Sequence, residues 1–261
     1  MLRSKEQTMH KTPFDLSGKV ALVTGANTGL GQGISIALAQ AGADIVLIGR
    51  SEPEDTIQQL SALGVKTHSI LTDLSRADKV ENIVSEAAST LGLADILVNN
   101  AGIIKRNEAI DFTPDEWDAV MNVNLRTLFF LSQAFARHIM AEGKSGKIIN
   151  IASMLTFQGG IRVPSYTASK SGVGGLTKAL ANEWAQHGIN VNAIAPGYFA
   201  TNNTAALQAD EKRNAEILGR IPSGRWGKPS DLAGAVVFLA SQASDYVQGI
   251  TLPVDGGWLS R

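Results

Sequence analysis

Short apolar runs with no alternation between polar and apolar residues recur along the whole chain, separated by longer stretches with helical spacing. Strands of that kind are buried on both faces, as in a parallel sheet covered by helices on either side. The runs predict strands at 19–24, 44–48, 67–71, 95–99, 147–151, 190–195 and 251–254. Seven strands that alternate with helices predict an α/β chain with a doubly wound parallel sheet. A (β/α)₈ barrel, which needs eight units, is the alternative.

Helical spacing predicts six helices between these strands, at about 29–41, 53–63, 77–91, 114–141, 165–187 and 230–241. No linker or break in composition interrupts the alternation, so we expect one domain over residues 17–261, preceded by a polar tail at 1–16. Residues 197–226 have mixed polarity and several small residues, which is typical of a mobile substrate loop. Trp226 is expected to pack this loop closed.

Charge and composition exclude several classes of partner. The chain has 23 basic and 24 acidic residues, a net charge of −1, which gives no basic footprint for nucleic acid or an anionic membrane. No apolar run approaches the roughly 20 residues of a membrane-spanning helix. The chain has no cysteine, which excludes disulfides and fits a cytoplasmic location. No metal site is expected, because no ligand spacing relates His10, His68, His138 and His187.

A glycine-rich turn follows the first predicted strand and opens the first helix. Its glycines permit a tight turn and a close approach of the backbone to a ligand, and the helix N-terminus offers N–H groups to an anion. The spacing is Gly-x₃-Gly-x-Gly, so neither the longer Gly-x-Gly-x-x-Gly form nor a P-loop is present. The turn predicts a pyrophosphate seat for a dinucleotide, formed by Gly25, Asn27, Thr28, Gly29, Leu30 and Gly31.

The end of the second strand bears on the choice between NAD(H) and NADP(H), because the adenosine ribose lies there in doubly wound folds. The chain reads Gly49-Arg50-Ser51-Glu52, with no carboxylate at the strand tip to accept from a ribose 2′-hydroxyl. Arg50 suits the 2′-phosphate of NADP. Glu52 lies slightly further along the chain and could still reach a ribose. Both cofactors therefore stay open.

Two further strand ends carry candidate cofactor residues, since ligands bind outside the carboxyl ends of parallel strands. Asp73 and Leu74 follow the third strand, and the carboxylate can accept from an adenine amino group or cap the next helix. Asn100, Ala101 and Gly102 follow the fourth strand, where small side chains let the backbone pass close to a flat cofactor. A purely structural turn is the alternative there.

Tyr166 and Lys170 stand four residues apart at the start of a predicted helix, so they share one face. A tyrosine with a pKa of about 10 is a poor acid or base at neutral pH, and a nearby ammonium lowers that pKa. Ser153 stands just past the fifth predicted strand, where its hydroxyl can donate to the same substrate oxygen. These residues predict a proton-transfer site with Tyr166 as general acid and base.

With these motifs the chain resembles the short-chain dehydrogenase/reductase family over residues 16–261. The matching motifs are Thr24-Gly25-x₃-Gly29-x-Gly31, Asn99-Asn100-Ala101-Gly102, Ser153, Tyr166-x₃-Lys170 and Pro196-Gly197. The resemblance implies an NAD(P)-binding Rossmann fold, usually tetrameric, that reduces a carbonyl or oxidises an alcohol. It also implies that Asn124 is the fourth catalytic residue and that Lys170 binds the cofactor ribose. By the same resemblance, the nicotinamide is flanked by Pro196, Gly197 and Thr201.

A closer similarity is to family members that act on keto-deoxy sugar acids from uronate breakdown, mostly with NAD. It is carried by the segments at 148–155, 157–164, 200–204 and 254–259, whereas Arg50 departs from the residue expected in that group. An anionic substrate needs a cationic partner, best a forked guanidinium. Arg162 or Arg106 is therefore expected to hold the carboxylate, and the hydroxyl groups are expected to contact Gln158, Asn202 and Asn203.

Three functions remain as hypotheses. The first is NAD(P)-dependent interconversion of a carbonyl and a secondary alcohol on a keto-deoxy sugar acid. The second keeps this chemistry but takes gluconate-type polyols or 3-ketoacyl groups on an acyl carrier, although no basic run is present to meet a carrier protein. The third is a non-enzymatic scaffold that senses a dinucleotide, which would have no need of a full set of proton-transfer residues.

Two predicted helices carry apolar residues on more than one face. The helix at 165–187 has a stripe of large residues and a second face of small ones, Ala168, Gly172, Gly175 and Ala179. The helix at 114–141 is apolar around much of its circumference. A helix lying on a sheet needs only one apolar stripe. The surplus predicts subunit contacts in a homo-oligomer, and the family resemblance implies a tetramer.

Overall fold

The computed structural model describes residues 12–261, in which seven strands form one parallel sheet. The strands are β1 (Val20–Thr24), β2 (Asp44–Gly49), β3 (Thr67–Leu71), β4 (Ile96–Asn99), β5 (Gly146–Ile151), β6 (Ile189–Pro196) and β7 (Thr251–Val254). Their order is β3-β2-β1-β4-β5-β6-β7, and every neighbouring pair is parallel. The doubly wound fold is confirmed. The barrel alternative is wrong, because β3 and β7 are the edges of an open sheet.

Helices cover both faces of the sheet. They are α1 (Gly29–Gln40), α2 (Glu54–Ser61), α3 (Val80–Thr90), α4 (Pro114–Met121), α5 (Leu128–Ala141), α6 (Pro164–Trp184), α7 (Ala205–Ala209), α8 (Glu211–Arg220) and α9 (Ala233–Ala240). In β1, Leu22 packs with residues of α3 and α5, such as Ile83 and Phe135. Its neighbour Val23 packs instead with residues of α1 and α9, such as Ile34. This burial on both faces explains the unbroken apolar runs.

The strand order reverses at β1, and the reversal determines where a cleft can form. β1 pairs with β2 on one side and with β4 on the other, so the chain winds away from it in two directions. In open α/β sheets, ligands bind at such a point, outside the carboxyl ends of the strands. Thr24, Asn99 and Ile151 end β1, β4 and β5 at this same edge of the sheet.

A π-helical segment, Asn122–Thr127, interrupts the helix predicted at 114–141 and separates α4 from α5. Asn124 lies within it and is fully buried. Its Nδ2 donates to the carbonyl oxygen of Ile103 at 2.9 Å, and its Oδ1 accepts from the Ile103 backbone N–H at 2.8 Å. Such segments within α-helices are frequent at functional sites. The sequence pattern does not reveal this π-helical segment, because apolar residues surround most of the predicted helix at 114–141.

Residues 197–226, predicted as a loop and here called the lid, contain the helices α7 and α8. Asp210 caps α8, since its side chain accepts from a backbone N–H of the first turn at 3.0 Å. Trp226 packs edge-on against Tyr198, with ring centroids 5.5 Å apart, and its Nε1 donates to Asn214 Oδ1 at 2.8 Å. Trp226 therefore joins the end of the lid to both its beginning and α8.

Within residues 12–261, no helix is long and apolar enough to cross a membrane. Over the same range, no three His, Asp or Glu side chains gather so as to hold a metal ion. His10 and most of the predicted tail lie outside the described residues. Leu16, assigned to that tail, is 1% exposed and packs in the core beside α1 and α9. The extent of a single domain stays a prediction.

Candidate active site

A cleft of about 1570 Å³ crosses the carboxyl ends of the strands, between the glycine turn after β1 and the lid. It exceeds the roughly 300–1,000 Å³ of a site for one small ligand, so a dinucleotide and a small substrate fit together. Every predicted site residue lines it except two. Asn124 is buried beside it, and the side chain of Asn203 lies outside the described part of the chain.

The glycine turn is shaped to bring backbone close to a pyrophosphate. Gly25 and Gly29 have φ angles of +65° and +59°, in the left-handed region that favours glycine. A Cβ on Gly31 would collide with the carbonyl oxygen of Gly25. Asn100 Nδ2 holds the turn by donating to the carbonyl oxygens of Thr24 at 2.9 Å and Gly25 at 3.1 Å. No acidic residue occupies the first turn of α1, so the turn fits an anionic dinucleotide.

Arg50 is exposed at the end of β2, and its charge acts on Asp73 beyond β3. Hydrogen bonds from Ser75 are the main reason that the pKa of the Asp73 carboxyl is lowered, and Arg50 contributes less. Asp73 Oδ1 accepts from the Ser75 backbone N–H at 3.0 Å, so the carboxylate caps the following turn. Asn27 Nδ2 donates to Ser51 Oγ at 2.9 Å and fixes the loop that carries Arg50.

The residues predicted for proton transfer converge at the centre of the cleft. Ser153 follows β5, whereas Tyr166 and Lys170 lie in the first two turns of α6. Lys170 is 3% exposed, and its Nζ lies 5.7 Å from the centroid of the Tyr166 ring. The same Nζ donates to the carbonyl oxygen of Ile151, at the end of β5, at 2.6 Å. The serine hydroxyl, the phenol and the ammonium thus belong to one cluster.

Asn124 joins this cluster from the π-helical segment. Its Nδ2 donates to Ser169 Oγ, on α6, at 3.2 Å. Gly102 brings the loop after β4 against the same group, since a Cβ there would lie 3.4 Å from Asn124 Oδ1 and 3.7 Å from Lys170 Nζ. The four predicted catalytic residues are therefore held by β5, α6 and the segment between α4 and α5.

Burial dominates the ionisation of this cluster. Desolvation raises the pKa of the half-buried Tyr166 phenol, against smaller lowering effects from a hydrogen bond with Ser153 and from the charge of Arg106. Desolvation also lowers the pKa of the Lys170 ammonium to about 8. The pKa of the phenol is therefore raised and not lowered, contrary to the expectation from the spacing of Tyr166 and Lys170. Arg106 is a cation whose charge lowers this pKa, against the larger effect of desolvation.

The two arginines predicted to hold a substrate carboxylate differ in their surroundings. Arg162 Nε lies 3.1 Å from Glu108 Oε1, and both side chains are more than half exposed. No carboxylate within residues 12–261 forms an ion pair with Arg106, and its charge acts on Tyr166. Arg162 also has a φ of +63°, a conformation that costs a non-glycine residue energy. Of these two arginines, Arg106 is the one whose charge acts on the Tyr166 phenol.

Gln158 and Asn202 line the cleft from the loop after β5 and from the lid. Among the lining residues that the sequence analysis did not predict are Arg213, Ile217, Arg220 and Trp258. The first three follow the spacing i, i+4 and i+7, which places them on one face of a helix. Recognising α8 would have found them, whereas no local pattern connects Trp258 to the cleft.

Comparison with known proteins agrees with this geometry. A family model described as enoyl-(acyl carrier protein) reductase matches residues 25–259. The chain is 62% identical over 248 residues to the 2-dehydro-3-deoxy-D-gluconate 5-dehydrogenase of Escherichia coli (strain K12). That alignment covers 95% of this chain and 98% of the relative.

Two solved structures share the fold along nearly the whole chain. A protein of Agrobacterium tumefaciens assigned as a 2-deoxy-D-gluconate 3-dehydrogenase, with bound NADP, has a TM-score of 0.92 and 57% identity, covering 96% of this chain and 100% of that one. A protein of Beutenbergia cavernae assigned as an NAD(P)-dependent gluconate 5-dehydrogenase, also with NADP, has a TM-score of 0.92 and 47% identity, over the same shares of the two chains. The resemblance drawn from the motifs is confirmed, and the chain belongs to the short-chain dehydrogenase/reductase family of NAD(P)-dependent oxidoreductases, which act on CH–OH groups.

Proposed function

We propose that this enzyme interconverts a carbonyl and a secondary alcohol on a keto-deoxy sugar acid, as 2-dehydro-3-deoxy-D-gluconate 5-dehydrogenases do. The main support for this proposal is that Ser153, Tyr166 and Lys170 lie in one cleft with Arg106. The charge of Arg106 acts on the Tyr166 phenol. The 62% identical relative bears that name. A reaction centre with a cation beside it suits a substrate that carries both a carbonyl and a carboxylate.

The cofactor is assigned to the glycine-turn side of the cleft. Gly25 to Gly31 would hold the pyrophosphate, with Lys170 at the ribose and Pro196, Gly197 and Thr201 beside the nicotinamide. When bound, the cofactor supplies or accepts the hydride. Arg50 would pair with a 2′-phosphate, so we propose that NADP(H) is accepted. Two relatives of similar fold contain NADP, which supports this assignment.

Tyr166 gives its proton to the carbonyl oxygen during reduction and takes one from the hydroxyl group during oxidation. The phenol is protonated at neutral pH, which is the form needed to donate, and desolvation moves its pKa further from neutrality. The Ser153 hydroxyl donates to the same oxygen and stabilises charge that develops there. Asn124 is a positioning residue, because its buried amide fixes the loop after β4 against Lys170.

Arg106 is proposed to hold the substrate carboxylate, in preference to Arg162. Arg162 already pairs with Glu108, and its guanidinium would have to leave that carboxylate to bind another. The hydroxyl groups of the substrate are proposed to contact Gln158, Asn202 and Asn203.

The assembly is proposed to be a homotetramer located in the cytoplasm. Of the small residues on the second face of α6, Gly175 and Ala179 are exposed in the single chain. A flat face of small residues allows another subunit to approach closely, which supports a subunit contact there. The absence of cysteine suits a reducing compartment.

Absorbance at 340 nm tests the function directly. We expect the wild-type enzyme to oxidise NADPH or NADH with 2-dehydro-3-deoxy-D-gluconate-type keto acids, at a kcat/KM well above that for 5-keto-gluconate or a 3-ketoacyl thioester. Preference for 5-keto-gluconate would instead support the gluconate 5-dehydrogenase alternative. Cofactor binding without turnover of any of the three would contradict the proposal and favour a dinucleotide-sensing scaffold.

A further inference from the structure

Arg220 is the last residue of α8 and lines the cleft from the lid. Its guanidinium carbon lies 4.0 Å from the centroid of the Trp258 ring, so the planar cation stacks on the indole. Its Nη2 also lies 3.5 Å from Gln158 Oε1, across the cleft on the loop after β5. The lid thus carries a positioned guanidinium that reaches toward the substrate side.

The charge of Arg220 is not neutralised within residues 12–261. Two other cleft arginines have carboxylate partners: Arg162 pairs with Glu108 at 3.1 Å, and Arg213 pairs with Glu216 at 3.0 Å. Over the same range no carboxylate lies within ion-pair distance of Arg220. The partners of this guanidinium are an aromatic ring and an amide, and neither carries a negative charge. Arg220 can therefore still bind an anion in the cleft.

Trp258 provides a rigid base for this cation. It is 5% exposed and packs in a cluster with Met154, Ile217 and Ile221, which joins the lid to the C-terminal segment. The ring of Tyr198 lies 4.7 Å from it, centroid to centroid. Because the indole cannot move freely, less conformational entropy is lost when Arg220 binds a ligand.

We propose that Arg220 is a second specificity residue, which binds the substrate carboxylate from the lid, and that Trp258 positions it. This inference rests on the proposed sugar-acid function and adds to Arg106 an anion contact carried by the lid. Gln158, which Arg220 already touches, would contact the adjacent hydroxyl group. Selection of acids over uncharged sugars would then depend on the position of α8, because α8 brings the guanidinium to the substrate.

The test compares a keto acid with its uncharged primary amide as substrates of matched shape. For Arg220→Gln we expect KM for the acid to rise about tenfold or more, with kcat changed less and KM for the amide within about twofold. Arg220→Lys should recover only part of the loss, because an ammonium cannot bind in a fork. The matched control is Lys212→Gln on the same helix, which removes an exposed cation that does not line the cleft and should leave KM for both substrates unchanged.

Variants of Trp258 provide a second test of the same inference. Trp258→Phe keeps an aromatic ring beneath the guanidinium and should retain most of the selectivity for the acid, whereas Trp258→Leu should lose it in the same direction as Arg220→Gln. Equal KM changes for acid and amide in Arg220→Gln would overturn the inference, as would an effect in Lys212→Gln of the same size.

Calorimetry separates failure of this inference from failure of the proposed function. If the wild type turns over no keto acid, the function fails, and D-gluconate is then titrated into the cofactor-loaded protein. Weaker gluconate binding by Arg220→Gln than by wild type would still support an anion site on the lid. Equal binding, or no binding by the wild type, would overturn it.

Discussion

The Lys170 ammonium donates a 2.6 Å hydrogen bond to the carbonyl oxygen of Ile151, the last residue of β5. This bond ties α6, which carries Tyr166, to the strand that leads into Ser153. A second bond joins the same segments, from Thr156 Oγ1 to the backbone carbonyl oxygen of Lys170 at 2.9 Å. The segments that carry the phenol and the serine hydroxyl are therefore held together by two hydrogen bonds from side chains to backbone carbonyls.

Stability should depend on pH through Lys170. Its pKa of about 8 lies below the ordinary 10.5, so the folded chain releases this proton before the unfolded chain does. Fewer protons are then bound in the folded state, and the free energy of unfolding rises with pH between about 8 and 10.5. In Lys170→Met this contribution is absent. Urea unfolding at pH 7.5 and pH 10 should show the wild type gaining about 2 kcal/mol relative to the variant.

The raised pKa of Tyr166 acts mainly above pH 10 and in the opposite direction, so the upper limit of pH 10 keeps the two groups apart. A stability difference between wild type and Lys170→Met that stays constant from pH 7.5 to pH 10 would contradict the lowered pKa of Lys170.

Cofactor choice should depend on Arg50. Removing the guanidinium in Arg50→Gln removes the partner of a 2′-phosphate, so the Kd for NADPH should rise about tenfold while that for NADH stays within about twofold. Fluorescence titration of the reduced cofactors measures both values without turnover. Glu52→Gln is the control, and a loss of NADH affinity in that variant would assign ribose binding to Glu52 instead.

The left-handed backbone of Arg162 gives a prediction for stability. Arg162→Gly and Arg162→Ala both lose the exposed ion pair with Glu108, which contributes little. Only glycine relieves the φ of +63°, so the glycine variant should be the more stable of the two by about 0.5–1 kcal/mol, even after its greater freedom in the unfolded chain. Urea unfolding of the pair measures this, and an alanine variant of equal or greater stability would show that this backbone is unstrained.

Much of the fold and the cleft could be predicted from the sequence, because β1, β4 and β5 are buried on both faces and are followed by polar or small residues. The turn at Gly25 and the pair Tyr166 and Lys170 are local patterns of the same kind. The rest depends on contacts between distant segments. No spacing indicates that Arg162 pairs with Glu108 or that Trp258 lies under Arg220.

The direction of the pKa shift of Tyr166 was also beyond the sequence. Spacing gives the distance along the helix between the phenol and the Lys170 ammonium but not how deeply the two are buried. Burial is the larger effect, and it raises the pKa of the phenol and lowers that of the ammonium. The shift could be assigned only with the surrounding atoms in place.

Replacement of Tyr166 by phenylalanine tests the proton-transfer role most directly. Tyr166→Phe removes one oxygen atom from a cleft that otherwise keeps its shape, so NADPH should bind with a Kd within about twofold of wild type. We predict that kcat for the keto acid falls by about 10²–10⁴-fold, the usual contribution of a general acid. Turnover by Tyr166→Phe at the wild-type rate, with the cofactor bound equally well, would contradict the assignment of Tyr166 as the proton donor.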